Sequence, residues 1–429
     1  MCFVLRIALA LGIVLWGIRA EVTVYLEIDS PKLRLYRLAF LPVVPGDDLS
    51  KRAESLMERC LEISHLFEFM DRSKFPLIRE PLSPERIDYK LWREMGAEFV
   101  LSTAISHEGG QLQLVLFFYD PVQGIPLISK VYRAQQGFLR QLVYKAVDDI
   151  LQTLTGREGL FNSRIAFIRA QKEGFRELWL IRPDGGEEIP LVKGTICMSP
   201  SWSHDGRKVL YTSLRSRNPD LYVVDIFDGT VKLLSQNPGP NVSASWSPDG
   251  RWIALAMRGE KPGDTDLYLM SADGGSLKPL LVSPHVEVSP CWSPDGKKIA
   301  FVSDRTGTPQ IYIYDLGSGK FSRLTNFGSY NAWPSWSPKG DWIAFSGRWQ
   351  GQFKLFIIRP DGSDLRMITP YAGDHERPSW APNGRHLVFS SNLKGKRLLY
   401  ITTIQSGGPW VVTLSQGEDS QPAWSRLYQ

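Results

Sequence analysis

The chain has 429 residues, 43% of them hydrophobic and 22% charged, with a net charge of +5 at pH 7. That composition permits a large packed core and excludes a disordered or fibrous polypeptide. It also argues against nucleic acid as a partner: the positive excess is small, and there is no run of five like charges and no basic stripe interleaved with aromatics.

Residues 1–20 read as an export signal. Arg6 gives a positive start, residues 7–18 form an uncharged apolar run, and Ala20 is a small residue at a cleavage point. The run is too short to span a bilayer comfortably. No later segment is apolar enough to cross a membrane, so a soluble exported protein with no direct membrane span is expected. Beyond the signal, Cys60, Cys197 and Cys291 are odd in number and form no Cys-x-x-Cys. They imply neither a disulfide framework nor a zinc ribbon, and each reads as a small buried hydrophobe.

Residues 21–157 show no repeat and predict a small α/β domain. A strand over residues 34–44 ends at Pro45-Gly46. Asp47 and Asp48 then cap a helix from 49 to about 66, with apolar residues at Ala53, Leu56, Met57, Cys60 and Leu61. Ser83-Pro84 opens a second helix running through Trp92 to Gly96. Strands over 99–106, 112–119 and 128–134 follow, separated by Gly109-Gly110 and Gly124, and an amphipathic helix covers 139–154. The adjacent acids Asp148-Asp149 and Glu187-Glu188 are expected to be solvated. His65 and His107 stand alone and suggest no chemistry.

Residues 158–429 read as one repeat array. Six copies of a phrase end in Trp202, Trp246, Trp292, Trp336, Trp380 and Trp424, spaced 44, 46, 44, 44 and 44 residues apart. A period of about 40–45 residues is that of a four-stranded propeller blade. Each Trp leads into a tight turn, as in Trp246-Ser-Pro-Asp-Gly250: Pro presets φ, Asp suits the third position and Gly takes the positive φ. The first strand of the array, near Arg164, has no Trp strand before it, and Trp424 has no strand after it. A closed six-bladed propeller follows if the C-terminal strand completes the first blade, whose other three strands come from residues 164–193. Burial of ~150–250 Å² per indole, an upper bound of roughly 4–6 kcal/mol each, assigns the six tryptophans to packing.

Trp-Ser-Pro-Asp-Gly followed by Ile-Ala-Phe and then Ile-Tyr-x-x-Asp resembles the repeat of the TolB family. Leu154-Thr-Gly-Arg-Glu-Gly-Leu-Phe-Asn-Ser-Arg-Ile-Ala-Phe167 is similar to that family's junction between its N-terminal domain and first blade, and Glu21-Val-Thr-Val-Tyr-Leu-Glu-Ile-Asp29 to its N-terminal segment. The resemblance implies a periplasmic, non-enzymatic component of the Tol-Pal system, supporting outer-membrane integrity and cell division. It implies two protein partners and no cofactor. A Pal-like peptidoglycan-associated lipoprotein would bind the propeller mouth. A TolA-like inner-membrane protein would bind the N-terminal segment through Glu21, Val22, Val24, Leu26 and Ile28. Ser30-Pro31-Lys32-Leu33-Arg34 and Glu27 depart from the family's pattern, which makes the second engagement the less secure of the two.

Strand alternation locates the mouth independently. The loops entering the Trp strands share a face with the loops joining second and third strands, opposite the N-domain connection. Five residues before each Trp stand Cys197, Asn241, Glu287, Asn331, His375 and Asp419. The five polar ones, with Glu376, Arg377 and Gln421, are expected to form a partner-binding rim. The protein is expected to be monomeric by itself. The rival reading is a metal-dependent propeller hydrolase of the lactonase type, with the same carboxylate, Asn and His groups holding calcium in the central channel. A propeller-gated peptidase is excluded by the lack of a Gly-x-Ser-x-Gly elbow. Gly317-Ser-Gly-Lys320 lacks the rest of a phosphate loop.

Overall fold

A computed structural model describes residues 34–259, 265–405, 407–415 and 417–427. The N-terminal domain is built on a five-stranded sheet. Its elements in chain order are β1 (Tyr36–Phe40), α1 (Asp48–Ser64), β2 (Phe67–Phe69), α2 (Tyr89–Glu94), β3 (Phe99–Glu108), β4 (Gln111–Asp120), β5 (Ile125–Gln135) and α3 (Leu139–Thr155). The spatial order is β2-β1-β3-β4-β5, parallel on both sides of β1 and antiparallel from β3 onwards. Asp47 caps α1, its side chain accepting the Ser50 N–H. Ala53, Met57, Cys60 and Leu61 form the buried face of that helix.

One expectation for this domain needs correction, and one strand was not expected. The second helix spans only Tyr89–Glu94, because Asp88 is its N-cap and accepts from the Leu91 N–H. Ser83 instead begins a turn whose carbonyl accepts from Arg86 and Ile87. The three-residue strand β2 was too short to carry a readable alternation.

Residues from Ile165 onwards form six antiparallel four-stranded sheets. Blade 1 combines Glu418–Trp424 with Ile165–Ala170, Arg176–Ile181 and Ile189–Val192, pairing Trp424 with Ile165. The C-terminal strand therefore closes the ring. Blades 2 to 6 begin with Cys197–Trp202, Asn241–Trp246, Glu287–Trp292, Asn331–Trp336 and His375–Trp380. These Trp-bearing strands are innermost and pack on one another around the axis.

All six tryptophans end inner strands, and five are nine-tenths or more buried. Three staple adjacent blades by donating from Nε1 to the carbonyl just before the neighbouring blade's Trp: Trp202 to Ala423, Trp292 to Ser245 and Trp380 to Ser335. The turn after each Trp closes as its residues dictate. In blade 3 the Asp249 carboxylate accepts from Ser247 Oγ and the Arg251 N–H, and Gly250 sits at φ +70°.

The two domains share one hydrophobic core, in which Met57, Val147 and Phe161 are continuous with Val388, Leu399, Ile401 and Trp424 of the propeller. The contact is reinforced at the turn face of blades 6 and 1. Arg385 donates to the carbonyls of Ser64 and His65, His386 Nε2 meets the Ile63 carbonyl at 2.9 Å, and Arg140 and Tyr144 bond Asp184. The N-terminal domain thus lies at the face opposite the starts of the inner strands, as strand alternation requires.

Asp148 and Asp149 are buried, not solvated. Asp148 accepts the backbone N–H groups of Leu160, Phe161 and Asn162, pinning the interdomain connection to α3. Asp149 bonds Lys130, Lys145 and the Tyr132 hydroxyl. Glu187 and Glu188 are ion-paired with Arg182 and Arg169. Adjacent residues point in different directions, on the helix at Asp148-Asp149 and in the loop before the strand at Glu187-Glu188, so each acid of a pair finds its own partners. Among the described residues no helix is long and apolar enough to cross a membrane. Cys60, Cys197 and Cys291 are free thiols.

Candidate functional site

The inner strands enclose a channel along the ring axis. Towards the turn face it opens into a cavity of about 330 Å³ lined by the Ser-Pro and Trp positions of all six blades. Towards the opposite face, between blades 5, 6 and 1, lies a second cavity of about 320 Å³. Trp333, Arg377 and Gln421 line both.

The six residues five positions before the tryptophans do not form the rim. Cys197, Asn241, Glu287, Asn331, His375 and Asp419 are each fully buried, and none lines either cavity. The five polar ones act alike, each bonding the residue four positions earlier, in the loop leading into its own strand. Asn241 Nδ2 donates to the Asn237 carbonyl, Asn331 Nδ2 to that of Phe327, and His375 Nε2 meets that of Tyr371. Glu287 and Asp419 accept from the Ser283 and Ser415 hydroxyls. The charged members are paired as well, Glu287 with Arg305 at 2.6 Å and Asp419 with Arg169 at 2.7 Å. Burial outweighs these bonds at Glu287 and holds its pKa above the ordinary carboxylate value. Direct partner contact through these side chains is corrected to loop bracing, since side chains fully buried inside a blade leave no surface to offer. Nor do these groups line the channel cavities, where the metal-hydrolase reading places its ligand set. Among the described residues no group of three or more His, Cys, Asp or Glu is placed to hold a metal ion.

The residues that do face the channel stand three positions before each Trp. Ser199, Ser243, Ser289, Trp333, Arg377 and Gln421 all have φ between 52° and 56°, in the left-handed region, and none is glycine. Strand pairing shifts register beside each one. Each inner strand thus carries a bulge that turns one side chain towards the axis. Three serines line one half of the channel; an indole, a guanidinium and an amide line the other.

That second half is built from side chains in contact. The Arg377 guanidinium lies 4.7 Å from the Trp333 ring centroid. Trp333 packs against Tyr330 and Phe353, which meet each other edge to face at 5.4 Å. The Gln421 carbonyl oxygen accepts the Ser199 N–H at 2.7 Å. Glu376 is engaged by Arg397. Protein closely surrounds Arg377, and the resulting loss of hydration pushes its pKa down to about 10. Glu376, Arg377 and Gln421 are thus brought together at the mouth; Trp333 was missed. Its signal was available as the change from Ser to Trp, Arg and Gln down one column of the repeat. Glu21, Val22, Val24, Leu26 and Ile28 lie outside the described residues.

A family model described as the TolB beta propeller domain matches residues 151–428, and one described as the TolB amino-terminal domain matches residues 24–127. The chain belongs to the TolB family. It is 33% identical over 244 residues to a Tol-Pal system protein TolB of Desulfosudis oleivorans, covering 54% of this chain and 55% of that one. It is 34% identical over 235 residues to a TolB homolog of Chlorobium luteolum, covering 54% and 53%. The chain spans about half the length of the curated relatives it matches. The crystal structure of TolB from Acinetobacter baumannii superposes with a TM-score of 0.83 at 26% identity, covering 92% of this chain and 97% of that one.

Proposed function

We propose that this TolB-family chain is a periplasmic scaffold of a Tol-Pal envelope system with no catalytic activity of its own. The open channel mouth of the propeller binds a Pal-like peptidoglycan-associated lipoprotein. The N-terminal segment around Glu21, Val22, Val24, Leu26 and Ile28 binds a TolA-like inner-membrane protein. Residues 1–20 direct export. The observation that carries the reading is the two-faced disc. The small domain is fastened to the turn face at blades 6 and 1, while a cavity lined by Trp333, Arg377 and Gln421 opens on the other. An aromatic cluster with an arginine at the centre of a concave surface is the composition of a protein-binding hot spot.

Crosslinking and co-purification from membranes test this, comparing the full chain with a variant lacking residues 21–32. The full chain is expected to retain both an outer-membrane lipoprotein and an inner-membrane protein, and the variant only the lipoprotein. Retention of both by the variant removes the role given to the segment; recovery of neither by the full chain removes the scaffold reading.

A further inference from the structure

The channel mouth contains, among the described residues, a guanidinium with no close ion pair: the Glu376 carboxylate acts on Arg377 at longer range while its short contact goes to Arg397. Its cavity is lined by Arg176, Arg377 and Arg397 against Glu376 and Glu418. Glu376 is committed to Arg397. Arg377 has only its backbone N–H bonded, to Ser346 Oγ at 3.0 Å, while its guanidinium rests on Trp333. A left-handed backbone holds the side chain on the axis. Beside it, the Gln421 carbonyl oxygen is occupied by the Ser199 N–H, which leaves the amide nitrogen as a second donor at the same level of the channel.

We propose that Arg377, steadied by Trp333 and helped by Gln421, recognises a carboxylate side chain that the protein partner inserts into the channel mouth. The partner identity rests on the function proposed above; the carboxylate chemistry rests on this site. A guanidinium presents paired donors matched to a carboxylate, and an indole beneath it fixes the fork without competing for its N–H groups. The adjoining Tyr330 and Phe353 rings extend the apolar wall. That favours a carboxylate carried on a protein surface over a free small anion, which would gain nothing from the rings.

Two measurements on the full chain keep the site and the partner apart. In the first, calorimetry reads binding of the soluble domain of the Pal-type lipoprotein from the same genome. Arg377→Gln is expected to weaken binding by roughly 30-fold or more, as for removing one member of a buried charge pair, and Arg377→Lys to restore part of it, with thermal midpoints unchanged. Wild-type affinity in Arg377→Gln overturns the proposal. In the second, the Arg377 Nε–H signal is followed by NMR during titration with N-acetyl-glutamate methylamide and with its glutamine counterpart. A shift with the glutamate compound alone supports the site. Identical responses to both compounds overturn it. A glutamate-specific shift in a chain that does not bind the lipoprotein domain upholds the carboxylate site and overturns only the choice of partner.

Discussion

Trp424 Nε1 donates a 2.7 Å hydrogen bond to Ser163 Oγ, 261 positions earlier in the chain. The adjacent Ser425 N–H bonds the Arg164 carbonyl, and Ser425 Oγ accepts from the Arg164 N–H. The last strand of the propeller is thereby fixed to the segment that joins the two domains, so ring closure and domain attachment are one structural event. Trp424→Ala is expected to lower unfolding stability by about 3–5 kcal/mol, read by denaturant unfolding. A loss no larger than that of an exposed substitution would mean that the closing strand contributes little.

The connection itself depends on Asp148. Its carboxylate takes three backbone N–H groups from residues 160–162, each of which costs about 1–3 kcal/mol if left buried and unpaired. Asp148→Ala is expected to lose roughly 3 kcal/mol on that basis. It should also speed proteolytic cleavage within residues 156–164. An unchanged cleavage rate would count against a pinned connection.

Arg385 is the principal polar latch between α1 and blade 6, donating to two carbonyls at the C-terminal end of the helix. Such charged hydrogen bonds contribute about 1.5–3 kcal/mol each. Arg385→Ala is expected to loosen the domain contact without opening the ring: small-angle scattering should show a larger radius of gyration while the propeller's unfolding transition is kept. A variant whose scattering matches the wild type would show that the shared apolar core suffices.

Acid should destabilise the chain in a window set by its buried histidines. Burial holds the pKa of His65 and of His375 down to about 4 and that of His386 well below 6.5. The unfolded chain therefore takes up protons first as pH falls, and stability is lost from about pH 6.5 towards pH 4. Asp148 acts in the opposite sense. Its pKa is raised to about 6, because desolvation outweighs its three N–H donors, so protonation between pH 6 and 4 favours the folded state. Buried Glu287, its pKa also raised, acts in the same sense as Asp148; three histidines against these two carboxylates leave a falling thermal midpoint over this window. His386→Gln should make the fall shallower, and a midpoint independent of pH would contradict this.

The repeat made most of the fold readable. The Trp-Ser-Pro-Asp-Gly turns sit where their residues require, and the unmatched strands at the two ends of the array, one lacking a Trp strand before it and one lacking a strand after it, implied closure by Glu418–Trp424. The functional surface was less readable. Repeat register brings Asn241, Glu287, Asn331, His375 and Asp419 to one level of the ring, and polarity alone suggested exposure. Direction depends on backbone torsion that register does not encode: the five polar residues five positions before a Trp turn into their own loops, and the residue three positions before each Trp, held left-handed, turns to the axis. Asp148 was misjudged for a related reason, since its partners come from the following loop and not from neighbours on its helix.

Hydrogen–deuterium exchange with and without the soluble domain of the Pal-type lipoprotein tests the central claim most directly. Protection is expected on the inner-strand starts and second-to-third-strand loops of blades 5, 6 and 1, around residues 330–333, 349–353, 376–377, 392–397, 418–421 and 171–175, with the turns after the tryptophans unchanged. Protection confined to those turns, or to the N-terminal domain, would contradict a partner seated at the open mouth.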